Sequence, residues 1–414
     1  MSAAYDWMDY SEQMLRREIE KIPDGTYGPI VGWLDDDARN RGTRLRVETK
    51  VVVEGDEITI DLTGSHPEVP TGFNVPFEGS LLVGAYYAVR TILLDEVTFP
   101  EHVPQNDGVF RPVQVIAPKG TIFNPNFPRA CFSRFTQVQR VVDNTILALA
   151  DALPDKVTAG NSAGIHFCAY AGFEESLGEY WLYLEVNEGS YGGRHGKDAM
   201  DSVDNLMANT RNNPIEELDM RFPMRCDQYE LRPEPAAPGK WRGGVGIIRR
   251  NRFLVDGTYS CEGDRQWQAP RGIFGGWDGL TASTHKNPGT PGEEYLEAKV
   301  TGVEFKAGEY IEFREPNAGG YGDPLERPAE MVREDILDDF TTIDLAREAY
   351  GVVFVDEREL EIDEEATKRR RDEIRASRNG DRGELESLFS RKDGKLLPSV
   401  SPTSEAGNSA FGMV

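Results

Sequence analysis

Cysteine and histidine are scarce in this sequence, with four and five residues among 414. Cys131, Cys168, Cys226 and Cys261 form no CxxC motif and no close pair along the chain, as expected of reduced, partly buried thiols in a cytoplasmic protein. His66, His102, His166, His195 and His285 are scattered without HxH, HxxxH or HExxH, which argues against a self-contained zinc site. No G-x-S-x-G motif is present, so a serine-based triad has no support. Long hydrophobic runs are missing too. The longest apolar stretch, 80–94, carries Arg90 and falls short of the roughly 20 residues a membrane span requires. The first residues lack a basic segment followed by an apolar one, so no secretory signal is read. Positive charge is in deficit: 46 Lys and Arg against 71 Asp and Glu leave a formal charge of −25. Nucleic-acid binding and docking to an anionic membrane both need the opposite sign.

What is plentiful is glycine and proline, 42 and 25 residues, which argues against a helix bundle and for turn-rich β structure mixed with helices. Hydrophobic residues at 39% suffice for a core, and the length suggests about two or three domains. Hydrophobic spacing predicts helices over 4–21, with Trp7, Tyr10, Met14 and Ile19 near one face, over 79–94, buried on most sides, and over 136–153. A hairpin is expected at 46–53 and 57–63, and strands at 109–117 and 180–186. Further hairpins are expected at 246–255 with 259–263, across Asp256-Gly257, and at 300–305 with 310–313. Beyond Pro328 the pattern becomes helical at 330–340, 343–350 and 363–376, with a short strand at 352–355. From about 377 the periodicity is lost. The expected fold is therefore mixed α/β (α+β): a large β-rich body with buried helices over 1–328, a small C-terminal helical module over 329–376, and a flexible tail over 377–414.

Three glycine clusters, at 242–246, 274–276 and 319–323, lack the Gly-Lys-Ser/Thr of a P-loop and read as tight turns or close backbone approach. Candidate chemistry concentrates in EVNEGSYGGRHGKDAMD. There Glu185, Glu188, His195, Asp198 and Asp201 crowd a glycine-rich loop that either aims them into one cleft or is solvated. Glu185, His195 and Asp198 are the catalytic candidates. The amide-rich stretch 209–216 offers Asn209, Asn212 and Glu216 to orient a polar substrate, or to cap a turn. Arg221, Arg225, Arg242, Arg249 and Arg265 could clamp a carboxylate or phosphate, or pair on the surface.

Several segments, in order, resemble the hydantoinase B/oxoprolinase family: DGTYGPIVGWLDDD (24–37), ITIDLTGSHPEVPTGFNVP (58–76) and NDGVFRPVQVIAPKGTIFNPNFP (106–128). The resemblance continues through 139–157, GGRHGKDAMDSVDNLMANTRNNPIEELDMRFPMR (192–225), KWRGGVGIIRRNRF (240–253) and 319–352, covering about 1–376. It implies a subunit working with a hydantoinase A-type ATP-binding partner, in which ATP activates a carbonyl or its enolate as a phosphate ester. A lactam or hydantoin ring is then opened by water, or a ketone enolate is carboxylated. A divalent metal (Mn, Mg or Zn) is implied, held mainly by another chain, and no metal ligand is assigned in this one. Two departures shape the expectation. The family's metal-bearing N-terminal region, with an Asn-Asp-Pro-Tyr…Gly-Gly…His…Asp pattern, is missing, so a second partner chain is expected to supply it. A Gly-Gly-Asn-Val-Glu-Thr-like segment is replaced by Cys131-Phe132-Ser133-Arg134-Phe135-Thr136-Gln137, where Arg134 beside aromatics would suit an aromatic or enolate-phosphate substrate. Arg134, Arg242 and Arg265 join the amides as substrate-binding candidates. The expected activity is cyclic amide hydrolysis; ketone carboxylation and a non-catalytic scaffold are the alternatives. The chain alone is expected to be inactive, with a small carbonyl compound as substrate and no nucleic acid or membrane partner.

Overall fold

The structure is a computed structural model that describes residues 2–95, 99, 103–164 and 166–377, with the backbone of 391–392 and 395–396. Apart from Ser377 and those two short stretches, the expected tail lies outside the described residues. The fold is mixed α/β.

The first layer is a sheet of β1 (Gly25–Leu34), β2 (Leu45–Glu54), β3 (Glu57–Asp61) and β4 (Val113–Ile116), antiparallel except for the parallel β3–β4 pair. β2 and β3 form the expected hairpin. In β2 the odd-numbered residues from Leu45 to Val53 are buried and the even-numbered ones less so, as a sheet covered on one face requires. The covering helices are α1 (Ser2–Ile19), α2 (Leu82–Leu93) and α3 (Phe135–Ala148). α1 buries Met14, Leu15 and Ile19, whereas Trp7 and Tyr10 stay exposed. α2 is shorter than expected and one-sided: Ala85, Ala88, Val89 and Ile92 face inward and Val83 faces out. The helix buried all round is α3, every residue of which from Thr136 to Ala148 is buried. Its polar side chains are partnered inside the protein. Arg140 pairs with Asp264 at 2.8 Å, Asp143 with Arg265 at 2.9 Å, and Asn144 donates to the Val47 carbonyl at 3.1 Å.

The second half is a sandwich. One sheet has the order β11 (Glu294–Leu296), β10 (Ser283–Lys286), β13 (Tyr310–Arg314), β8 (Ile247–Phe253), β7 (Met224–Leu231). The other runs β12 (Lys299–Phe305), β9 (Gly257–Glu262), β5 (His166–Glu174), β6 (Glu179–Asn187). The two late hairpins expected from sequence are not hairpins. β8 pairs with β13 and β9 pairs with β12, so each supposed turn carries the chain from one sheet to the other. Residues 247–262 and 299–314 form one antiparallel ribbon, bent at Asp256-Gly257 and at 306–309. The register Arg252↔Tyr310 continues directly into Gly257↔Phe305 across the bend. The turn residues do mark the places where the chain redirects. The pairing partner differs from the expected one, because a sheet-to-sheet corner uses the same residues as a hairpin. Between the sheets lies an aromatic core of Tyr170, Tyr183, Phe253, Tyr259, Phe305 and Phe313.

After β13 come α5 (Ala329–Leu337) and α6 (Ile343–Glu348). A two-strand ribbon of β14 (Phe354–Asp356) and β15 (Glu361–Ile362) and then α7 (Glu364–Ser377) follow. Thr342 caps α6 by accepting from the Leu345 amide at 3.1 Å. Val332, Leu345 and Tyr350 pack with Ala237, Trp277 and Leu280, so one hydrophobic cluster draws on both sides of residue 328. No described helix is long and apolar enough to cross a membrane.

The glycine clusters weave backbone against backbone. A Cβ on Gly243 would lie 2.1 Å from the Ala318 carbonyl oxygen, and one on Gly276 would lie 2.1 Å from that of Gly320. Close approach is what these glycines provide, and their amides face protein rather than a phosphate. Gly276→Ala is expected to cost about 1–3 kcal/mol through overpacking, read as a lower urea midpoint at unchanged slope.

Candidate functional site

Loop 188–214 leaves the end of β6, doubles back on itself and enters the short helix α4 (Ile215–Arg221). Its return is fixed by the bridge Gly189↔Val203 and by Asp204, which accepts from the Thr210 amide and hydroxyl, both at 2.6 Å. Between this loop and β7 lies a cavity of about 420 Å³ lined by Glu188, Ser202, Asp204, Thr210, Asn212 and Tyr229, among others.

Glu188 is the buried carboxyl of this cavity. It is 7% exposed, accepts from Asn212 Nδ2 at 3.1 Å and from the Tyr229 hydroxyl at 3.2 Å. Burial pushes its carboxyl above the usual value, against the Tyr229 hydrogen bond and the Arg249 charge that favour ionisation. Tyr229 is itself raised to about 12, first by burial and then by the Glu188 charge, so its hydroxyl remains a donor across neutral pH.

Behind the cavity the network continues inward. Arg249, fully buried, stacks its guanidinium over the Tyr229 ring at 4.7 Å and reaches Glu185 at 2.8 Å. Glu185 also accepts from Tyr170 Oη and Asn251 Nδ2, both at 2.7 Å. Glu185 therefore sits in the sandwich core as the counter-ion of Arg249, one step removed from the cavity. Arg249 does clamp a carboxylate, and that carboxylate belongs to this chain. The strand IIRRNRF alternates so that Arg249 and Asn251 point inward. Polar residues at the buried parity of a strand were the available signal for this network. Tyr229 gave none, being one aromatic among alternating residues of β7.

The remaining candidates lie in other places. His195 is exposed, with Nδ1 3.4 Å from Asp155, and among the described residues no hydrogen bond or ion pair joins it to Glu185 or Asp198. Asp198 accepts from the Arg242 amide at 2.8 Å and holds Arg327 at 2.7 Å. Arg242 pairs with Asp201 at 2.9 Å and lies over the Phe340 ring at 3.6 Å. Asp198, Asp201, Arg242, Arg327 and Asp335 thus form a knot holding the C-terminal helices to the body. Arg265 is buried with a left-handed backbone and donates to Asp143 and to the carbonyls of Asn161 and Ser162. Arg134 caps nothing at the start of α3; its guanidinium lies 4.7 Å over Phe135 on an exposed aromatic surface with Phe132. Asn209 and Glu216 are exposed. Of the predicted site residues, only Asn212 enters the cavity, together with Glu188 from the same acidic loop.

No group of three or more His, Cys, Asp or Glu among the described residues could hold a metal ion. The described residues therefore do not fit a resident divalent metal, and the glycine clusters, whose amides bond protein carbonyls, do not fit a nucleotide phosphate.

The family model for hydantoinase B/oxoprolinase matches residues 1–324. The chain is 42% identical, over 368 residues, to a protein of Pseudomonas sp. (strain NS671) assigned as the B-type component of a D-/L-hydantoinase. It is 27% identical over 372 residues to the beta component of the Pseudomonas jessenii caprolactamase. Each alignment covers 87% of this chain and 61% of the relative, so the chain spans about three-fifths of their length. Among solved structures, the ATP-dependent caprolactamase of Pseudomonas jessenii superposes with a TM-score of 0.72 at 25% identity, covering 88% of this chain and 63% of that one. Nucleotide-free acetone carboxylase gives 0.74 at 18% identity over 91% of this chain and 56% of that one, a likeness of fold. The chain belongs to the hydantoinase B/oxoprolinase family.

Proposed function

We propose that this chain is one subunit of a cytoplasmic, multi-subunit, ATP-dependent enzyme that opens a cyclic amide, either a lactam or a hydantoin. The observation that carries this reading is the cavity in which a buried carboxyl, Glu188, stands between an amide, Asn212, and a phenol, Tyr229. A ring amide presents one N–H donor and one carbonyl acceptor, and the Asn212 side chain offers the complementary pair. Glu188, once ionised, is placed to take a proton from the attacking water, and its raised pKa lets it return that proton to the departing ring nitrogen. Phosphoryl activation of the carbonyl comes from an ATP-binding partner of the hydantoinase A type. The relatives assigned to hydantoinase and caprolactamase complexes favour ring opening over carboxylation.

The test is reconstitution with an ATP-binding subunit and 5-substituted hydantoins or lactams. ADP release matched to ring-opened product, independent of bicarbonate, is the expected result. ATP consumption that requires bicarbonate and a ketone would replace this reading with the carboxylase. ATP hydrolysis by the chain alone would overturn the subunit assignment.

A further inference from the structure

Two of the scarce cysteines, distant in sequence, meet in the core. Cys168 on β5 and Cys261 on β9 are direct partners in the antiparallel register, with their sulfurs 3.8 Å apart. Directly opposed residues of antiparallel strands have Cα atoms about 4.5–5.5 Å apart. That falls within the range of about 4.4–6.8 Å that a disulfide accepts. A bridge therefore needs the sulfurs to close up with little movement of the backbone.

The surroundings differ for the two sulfurs. Burial raises the Cys168 thiol well above its usual value; its sulfur accepts from Asn187 Nδ2 at 3.4 Å and donates to the His166 carbonyl at 3.5 Å. Burial opposes ionisation of Cys261 as well, but the Cys168 hydrogen bond and the His166 charge override it, and its thiol is lowered. His166 is fully buried and bonds Glu315 through Nδ1 at 2.9 Å, and among the described residues its Nε2 has no hydrogen-bond partner. Burial works against its charge too, but the Glu315 carboxylate holds its pKa up at about 9, so it is an imidazolium at neutral pH. A buried Glu–His⁺ pair beside one member of a dithiol has no part in the cavity chemistry described above.

We propose that Cys261 and Cys168 form a reversible, peroxide-responsive disulfide, with Cys261 the attacking thiolate and Cys168 the resolving thiol. The Cys261 thiolate attacks one oxygen of hydrogen peroxide; the O–O bond breaks, and the departing hydroxide takes up the proton the thiol released. The sulfenic acid formed is attacked by the Cys168 sulfur. The S–S bond forms, the S–O bond breaks, and the hydroxyl leaves as water with the Cys168 proton. Two thiols are oxidised to one disulfide while one peroxide is reduced to two waters. The bridge withdraws the acceptor of the Asn187 amide, and Asn187 is the residue directly before Glu188.

The experiment uses the full chain with Cys131→Ser and Cys226→Ser, which removes the competing thiols. The folded protein is treated with hydrogen peroxide, then alkylated, unfolded and mapped by mass spectrometry. A Cys168–Cys261 linked peptide, lost on dithiothreitol treatment, is expected. With Cys168→Ser, dimedone should trap a sulfenic acid at Cys261; with Cys261→Ser, Cys168 should stay unmodified. His166→Gln should slow the reaction about threefold to fourfold for each unit by which it raises the Cys261 pKa, since the loss of thiolate outweighs its greater nucleophilicity. Linked peptide absent from the folded protein overturns the disulfide. Dimedone adducts on Cys168 in place of Cys261 overturn the assignment of roles, whether or not the His166 variant folds.

Discussion

Glu188→Gln is expected to lower kcat of the reconstituted complex by about 10²–10⁴, the usual worth of a positioned acid–base group. Thermal unfolding should barely move. The substitution keeps the size of the side chain and an oxygen that still accepts from Asn212 and Tyr229, so little packing or hydrogen bonding is lost. What disappears is the ability to exchange a proton. The pH profile checks the assignment separately. Burial raises the Glu188 pKa, so the ionised base is lost at a higher pH than for an ordinary glutamate. Turnover in the wild type should therefore fall as pH drops through that elevated value, and the residual activity of Glu188→Gln should lack this limb. Tyr229→Phe removes a hydrogen bond that favours the ionised carboxyl, so the limb should shift to higher pH. Full turnover by Glu188→Gln would leave this chain as a scaffold within its complex.

The cavity was only half legible in the sequence, for a physical reason. Composition and residue spacing pointed to the 185–216 region, because acids, amides and glycines crowd there. They could not rank the acids. Glu185 and Glu188 lie three residues apart, yet Glu185 points into the sandwich and pairs with Arg249, and Glu188 faces the cavity. That difference depends on where β6 ends and on the β7–β8 pairing that brings Tyr229 and Arg249 together, a contact set by sheet order rather than local pattern. His195 looked reactive for being a histidine among acids, but its loop faces outward. The hairpin β2–β3 was readable because turn and partner are both local. The bent ribbon was not, since its pairing joins segments about fifty residues apart and its corners mimic hairpin turns.

Asp264→Ala should be the most destabilising of the single substitutions considered, by about 3–5 kcal/mol, out of a total that for ordinary proteins is about 5–15 kcal/mol. Asp264 is fully buried between two buried cations, Lys299 Nζ at 3.1 Å and Arg140 Nη2 at 2.8 Å, and it also accepts the Asp35 amide at 2.7 Å. Those partners come from β12, from α3 and from the end of β1. One carboxylate thus ties the helix-covered sheet to the sandwich, and deleting it strands two positive charges in a dry interior. Urea unfolding at pH 7 measures the loss. Adding Lys299→Met to Asp264→Ala should recover part of it, because one uncompensated charge is removed. Acid behaviour supplies an independent check. Burial opposes the Asp264 charge, but Lys299 and Arg140 prevail and hold its pKa down at about 2, below the ordinary 3.8. Its contribution is therefore complete above pH 3.8 and drains away as pH falls toward 2. Asp35 runs the other way. Burial and the adjacent Asp264 charge raise it to about 6, so its contribution is present below pH 3.8 and is lost as pH rises through 6. The wild type should weaken on both flanks of a window near pH 4, and Asp264→Ala should flatten both, since it removes one titration and relieves the charge that raises the other. A urea midpoint for Asp264→Ala equal to that of the wild type would show that this buried cluster does not hold the two halves together.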